Sequence, residues 1–264
     1  MTFALGVTPS WAVPLLGSVG HGSVSGVPAP LRRLVVTLVV IAGVLSLGLG
    51  TLWVSTPSAS DVQQRVRERT DGLGVVLLQE DQVPPLLAAA VVATEDEKFY
   101  SHHGIDSIGL GRAVLYDVTH LCLCEGGSTI TEQLVKDVYL SGSSRGYNKV
   151  KELVLALKVE REISKGQIMA DYLSEITTGY GHYGVSSAAC AYFHAPLDRL
   201  TIGQYALLAG VTQAPSIYDP TVNPNEAAAR RSQVLQSMLA HGLISKDQAA
   251  AAEAEPVLSA GSGC

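Results

Sequence analysis

Leu34 to Val54 runs without a charged residue, and no other stretch limits the fold so strongly. About 21 residues at about 1.5 Å of rise each span roughly 30 Å, the thickness of a bilayer core. Arg32 and Arg33 precede the run, and Trp53 stands near its far end, where an interfacial aromatic belongs. A cleaved signal peptide is the competing reading, with Ser58-Ala59-Ser60 as a small-residue cleavage site. The run exceeds the roughly 7–15 apolar residues of such a signal. One uncleaved signal anchor over 34–54 is therefore expected. Charge does not orient it, because Arg65, Arg67 and Arg69 on one side offset Arg32 and Arg33 on the other. Ahead of the span, residues 1–33 begin with a Gly-, Pro-, Ser- and Val-rich stretch of no clear period, read as a disordered tail.

The remainder reads as one compact, mainly helical domain over 60–257. Its net charge of -6 belongs to a chain with 18 Lys+Arg and 24 Asp+Glu, and this mild acidity argues against a nucleic-acid partner, which would want a basic face. The four cysteines, Cys122, Cys124, Cys190 and Cys264, lack zinc-ligand spacing. Cys122 and Cys124 are too close to favour pairing together. Either could meet Cys190 in an oxidising compartment, or all are small buried thiols.

Helices are expected over 60–69, from Pro84-Pro85 to Glu95, over 148–163, 168–177, 205–210, 225–241 and 245–255. Gly72 to Leu78 reads as extended. Ser164 to Gln167 and Thr201 to Gln204 have the form of capping boxes. Gly179 to Gly184 breaks the chain between helices.

Five stretches carry the chemistry. Glu95-Asp96-Glu97-Lys98-Phe99-Tyr100-Ser101-His102-His103-Gly104 follows the apolar run Leu87–Ala93. Carboxylates delivered by a buried helix are costly unless they are paired or face a cleft. Gly126-Gly127-Ser128-Thr129-Ile130-Thr131-Glu132-Gln133-Leu134-Val135-Lys136 offers exposed amides, hydroxyls and a lysine, which suit phosphate oxygens. Lys149 and Glu152 share a helix face. Lys165 to Glu175 reads alone as an amphipathic helix, and Arg230-Arg231 as a solvated basic turn.

In this order the stretches resemble glycosyltransferase family 51, the peptidoglycan glycosyltransferases, which occur as monofunctional enzymes and as the first domain of class A penicillin-binding proteins. The family pattern runs Glu-Asp-x-x-Phe-x-x-His-x-Gly, Gly-x-Ser-Thr-Ile-Thr-Gln-Gln, Arg-Lys-x-x-Glu, Lys-x-x-Ile-Leu-x-x-Tyr-Leu-Asn and Arg-Arg-x-x-Val-Leu, and the match covers about Val83 to Leu239. The resemblance implies a lysozyme-like helical domain beside a smaller membrane-associated lobe, the latter containing Ile105 to Leu123. It implies polymerisation of lipid II into β-1,4-linked glycan, with inversion and release of undecaprenyl pyrophosphate. Glu95 would be the general base and Glu152 the second acid. Lys136 would contact the pyrophosphate, with Ser128, Thr131 and Gln133 helping. Gly127, Thr129 and Lys149 belong to the same binding set, and Asp96, Phe99, His102 and Gly104 would support Glu95.

The sequence departs from the pattern at Glu132 (for Gln), Asn148 (for Arg), Met169 (for Leu) and Ser174 (for Asn). An upstream family arginine aligns to Ser144, with Arg145 adjacent as its substitute. These changes motivate a second reading, a catalytically weakened member acting as a lipid II-binding or wall-enzyme scaffold. A third, a glycan hydrolase using Glu95 as acid, is disfavoured by the phosphate-suited second stretch. The expected partners are lipid II, the growing glycan, the membrane and other cell-wall enzymes. No metal ligand set is expected, although Mg or Mn is compatible with a pyrophosphate site. The resemblance places the protein in the cytoplasmic membrane, single-pass, with residues 1–33 cytoplasmic and the C-terminal domain outside.

Overall fold

The computed structural model describes residues 28–120 and 127–258. Most of the expected tail, and the expectations for Cys122, Cys124 and Cys264, lie outside those residues. The chain divides into two units, up to Gly50 and from Thr51 onward. The first consists, as described, of helix α1 (Ala29–Ser55) up to that division, with none of the helix's residues buried. Helix α1 is long and apolar enough to cross a membrane. It begins earlier than the uncharged run and takes in Arg32 and Arg33, because a terminal basic turn interrupts no backbone hydrogen bond.

Eleven further α-helices follow from Thr51 among the described residues, besides two single-turn 3-10 helices. They are α2 (Val62–Leu73), α3 (Pro85–Glu95), α4 (Ser107–His120), α5 (Ile130–Tyr139), α6 (Tyr147–Glu162), α7 (Lys165–Glu175), α8 (Val185–Phe193), α9 (Ile202–Val211), the short α10 (Pro215–Tyr218), α11 (Pro224–Ala240) and α12 (Lys246–Glu253). The mainly helical expectation therefore holds. The glycine-rich break holds a small antiparallel hairpin, β1 (Thr177–Gly179) with β2 (His182–Tyr183). Its two-residue turn needs Gly181 at φ 78°.

Local chemistry sets the ends. Pro85 opens α3, where its missing N–H costs nothing. Thr201 and Gln204 make the expected reciprocal cap of α9. At α7 only half the box forms: Ser164 caps Gln167 N, whereas Gln167 Nε2 donates to Asp171 at 2.8 Å. Asp61 precedes α2 without capping it; its carboxylate instead accepts from Arg65 and Tyr139. After Gly74 (φ 68°) ends α2, the expected extended stretch starts late and pairs with no strand. It is held by Leu78 N donating to Ser174 Oγ at 2.8 Å. Ser174 thus serves the core at the position where the family pattern has Asn.

α3 packs against α9 and α11, while α5 packs against α6 and α7. Leu87, Ala90 and Val91 are fully buried, and a buried Leu or Val contributes roughly 1.5–3 kcal/mol. That apolar grip forces the helix's C-terminal carboxylate, Glu95, into the protein. Lys158 of α6 donates to the carbonyls of Trp53, Thr56 and Pro57 at 2.8–3.0 Å, and its ammonium lies 5.0 Å from the Trp53 ring. Within the second unit, Trp53 to Pro57 is thereby fastened to the helix that carries Lys149 and Glu152. Cys190, in α8, is disulfide-bonded.

Gly104 has φ 95°, and a Cβ there would lie 2.8 Å from the backbone of Ala156 in α6. Gly104→Ala is expected to destabilise the fold by about 2 kcal/mol or more, since neither strain nor clash has a flexible side chain to absorb it. Denaturant unfolding, with the midpoint unchanged in the variant as the contrary result, checks this.

Candidate active site

A cleft of about 180 Å³ opens where the end of α3 meets α4 and the start of α5. Glu95 lines it beside Thr94 and Asp96; Asp106, Gly109 and Arg112 face them from α4 and its approach, with Gly127, Ser128 and Thr129 alongside. Arg112 is a cation at the cleft that the motif analysis did not select.

Glu95 is held from two directions. Gln133 Nε2 donates to Oε2 at 3.2 Å, and an Arg230 guanidinium nitrogen stands 3.8 Å from Oε1. Oε1 has no hydrogen-bond partner. Tyr172 donates its hydroxyl to Gln133 Oε1 at 3.3 Å, which turns the amide so that its N–H₂ faces the carboxylate. Burial raises the Glu95 pKa above the ordinary carboxylate value; Gln133, Arg230 and Lys136 lower it and Asp96 raises it, all more weakly. A carboxylate of raised pKa on a cleft is suited to accept a proton.

Asp96 is turned away from that task. It accepts from His102 Nε2 at 2.8 Å and from Ile130 N at 3.1 Å. Gly104 N donates to His102 Nδ1 at 3.1 Å, so Nε2 carries the proton given to Asp96. Phe99 is fully buried, edge-on to His102 and under the Lys165 ammonium. Gly104, Thr129 and Thr131 are buried as well. Thr129 caps α5 and donates to Gly104 O at 2.8 Å, and Thr131 donates to Glu160 at 2.6 Å. Thr131 therefore spends its hydroxyl on Glu160 inside the protein and is fully buried. Phe99, His102, Gly104 and Thr129 fix the loop after Glu95 against α5. Glu97 and Lys98 are exposed, pairing with His241 and Asp106.

The second half of the site gathers on α5 and α6. Lys149 Nζ donates to Ser128 Oγ at 2.8 Å and to Glu132 Oε2 and Glu152 Oε1 at 2.6 Å each. Ser144 donates to the other Glu152 oxygen. Glu152 is thus a buried, fully engaged carboxylate. Burial pushes the Glu132 carboxyl up to about 7 against the opposing pull of Lys149. Lys136, one-third exposed, approaches Asp137 only to 4.0 Å. Arg145 is exposed on the loop between α5 and α6. Gly127 packs close to α4, where a Cβ would come 3.2 Å from that of Ala113. Among the described residues no group of three or more His, Cys, Asp or Glu is placed to hold a metal ion. Glu132 and Glu152 converge, but the Lys149 ammonium occupies the point between them.

Arg230 and Arg231 correct the reading of their stretch as a solvated turn: both are buried. Arg231 donates to the carbonyls of Glu253, Glu255 and Pro256, and Arg230 reaches Glu95. The signal was present as helical spacing. Ala227, Arg230, Arg231, Val234, Leu235 and Met238 form one buried stripe on α11.

The transglycosylase family model matches residues 64–239. Penicillin-binding protein 1A of Vibrio cholerae is 42% identical over 181 residues, covering 69% of this chain and 22% of that protein. Penicillin-binding protein 1A of Escherichia coli is 40% identical over 168 residues, covering 64% and 20%. A Cupriavidus necator protein bearing the transglycosylase name is 40% identical over 176 residues, covering 67% and 76%. A solved structure of penicillin-binding protein 1A from Haemophilus influenzae covers 70% of this chain and 18% of that one, at 25% identity and a TM-score of 0.41. The sequence matches define a class, the transglycosylase domains. The chain belongs to the transglycosylase family, glycosyltransferase family 51. It spans about a fifth of the length of the penicillin-binding proteins named above.

Replacing Arg230 removes the cation nearest Glu95 Oε1. Arg230→Met is expected to raise the Glu95 pKa further. Carbon-13 titration of labelled glutamate carboxyls reads this directly; an unchanged Glu95 titration would show that the 3.8 Å approach has no electrostatic effect.

Proposed function

We propose that this chain is a peptidoglycan glycosyltransferase that polymerises lipid II into β-1,4-linked glycan strands, with Glu95 as general base. The observation that carries the reading is the Glu95 carboxylate itself: largely but not wholly buried, raised in pKa, with one oxygen free of hydrogen bonds, at the edge of a cleft. Family membership and the names of the relatives support the same activity.

In this reading Glu95 takes the proton from the 4-hydroxyl of the acceptor sugar. The oxygen attacks the anomeric carbon of the lipid-linked donor from the face opposite the diphosphate. The C1–O bond to phosphate breaks, its electron pair leaves on undecaprenyl pyrophosphate, and configuration inverts. Charge develops on the leaving oxygens, where cations lower the barrier. Lys136 is the best-disposed cation, since its one close carboxylate is 4.0 Å away. Lys149 and Ser128 form the adjoining wall, with Arg112 across the cleft. Glu152 acts by holding Lys149 rather than by touching the phosphates. A divalent cation, Mg or Mn, is compatible with the diphosphate, although among the described residues no group of three or more His, Cys, Asp or Glu is placed to hold one.

The membrane placement follows from the same substrate. Helix α1 is apolar enough to anchor the chain, and Ile108, Leu115 and Val118 expose an apolar face on α4 that suits an interfacial lobe. Lipid II is polymerised outside the cytoplasmic membrane, so the domain from Thr51 onward is assigned there as a single-pass protein. Lipid II and the growing glycan are the partners, with other wall enzymes as candidates. A weakened, substrate-binding scaffold remains the second reading, favoured by the fully engaged Lys149.

Glu95→Gln should reduce polymer formation from lipid II by roughly 10²- to 10⁴-fold, the range for loss of a positioned base. Gel analysis of labelled glycan decides it. Equal polymer from both proteins would remove Glu95 as base, and tight lipid II binding without product from wild type would favour the scaffold.

A further inference from the structure

Lys149 has three N–H donors, and all three are taken by the protein: Ser128 Oγ, Glu132 Oε2 and Glu152 Oε1. Two carboxylates face this one ammonium. Glu132 is 1% exposed and Glu152 is 1% exposed, so water screens neither charge well. Glu152 has a second partner in Ser144. The cluster therefore carries about one excess negative charge on the wall of a site that would receive a diphosphate. A phosphate oxygen can reach Lys149 only by replacing one of its three ligands.

We infer that Glu132 is a positioning residue that competes with the leaving diphosphate for Lys149, so that diphosphate binding requires Glu132 to give up the ammonium and take up a proton. The inference rests on the reading of the Ser128–Lys149 wall as the diphosphate side, and it adds a residue that opposes binding there. Of the three ligands Glu132 is the one to yield. Ser128 carries no charge to relieve, and Glu152 is held from its other oxygen by Ser144. The groups facing Glu132 are Lys149 and Glu152 from α6, with Ser128 as the other ligand of the shared ammonium.

Burial supports the exchange. Desolvation brings the Glu132 carboxyl up to about 7, so the proton is available near neutral pH. An acid whose folded pKa is raised is protonated below that value and charged above it. Below about 7 the cluster is thus one unit less negative and Lys149 is shared by fewer anions; above it the competition is complete.

The test uses the full chain in detergent, with inorganic pyrophosphate as the probe and calorimetry as the readout. Wild type is compared with Glu132→Gln at about pH 6 and about pH 8.5, on either side of the Glu132 titration. Comparison at each pH cancels the titration of pyrophosphate itself. At the higher pH, Glu132→Gln should bind roughly tenfold more tightly, a modest share of the interaction of two close unit charges at protein-surface dielectric. At the lower pH the two should agree within about twofold, since wild-type Glu132 is then protonated. Repeating the titration in buffers of different ionisation enthalpy should show more proton uptake by wild type than by the variant. Glu132→Ala removes the same charge without an amide, and a gain shared by both variants assigns the effect to charge. Equal affinity at both pH values, or weaker binding by both variants, overturns the role of Glu132 and leaves the diphosphate reading standing. No binding by any of the proteins overturns the diphosphate wall and the inference together.

Discussion

A carboxylate that an apolar helix drags out of water must be met from several sides, and much of this structure consists of the groups that meet Glu95. α3 cannot turn Glu95 outward, because Leu87, Ala90 and Val91 are locked between α9 and α11. Gln133 from α5 and Arg230 from α11 therefore come to the carboxylate. Tyr172 from α7 fixes the Gln133 amide. Ser237 of α11 adds a bond to Ala93 O, one of the last carbonyls of α3. The arrangement leaves the carboxylate partly uncompensated, with Oε1 unbonded, and that residual cost is what raises its pKa.

The two sides of the site are built on opposite principles. Around Glu95, one acid is undersupplied with partners. Around Lys149, one base is oversupplied with them. Asp96 and His102 separate the two regions by tying the loop after α3 to the first amide of α5. The departures from the family pattern fall mainly on the second side. Ser144 and Glu132 have exchanged cationic or neutral recognition for internal hydrogen bonds to or through Lys149 and Glu152.

Much of this was legible in the sequence. The uncharged run at 34–54, the apolar run before Glu95, and the Thr201–Gln204 box each encode their element by local pattern, because period and capping depend on neighbours. What escaped was encoded by distance. Thr131 looked like a phosphate ligand, and Glu160, twenty-nine positions away, claims its hydroxyl. The Ser164 box closed only by half since Asp171 attracts Gln167. The hairpin at Thr177–Tyr183 is too short for alternation to announce it. Arg230 is the instructive case. Its charge argued for solvent, while its place in the apolar stripe of α11 argued for the core, and the carboxylate on α3 decides between them.

Arg230 also dates the site. Glu95 lies in the first half of the chain, and its guanidinium neighbour belongs to a helix that begins only at Pro224. As the polypeptide emerges, α5 can condense with α6 and α7 long before α11 exists. Until α11 is made, α3 lacks one of the two helices it packs between, and Glu95 lacks the guanidinium that approaches its Oε1. The surroundings of Glu95 are therefore complete only when α11 docks, although a shorter chain already carries every earlier motif.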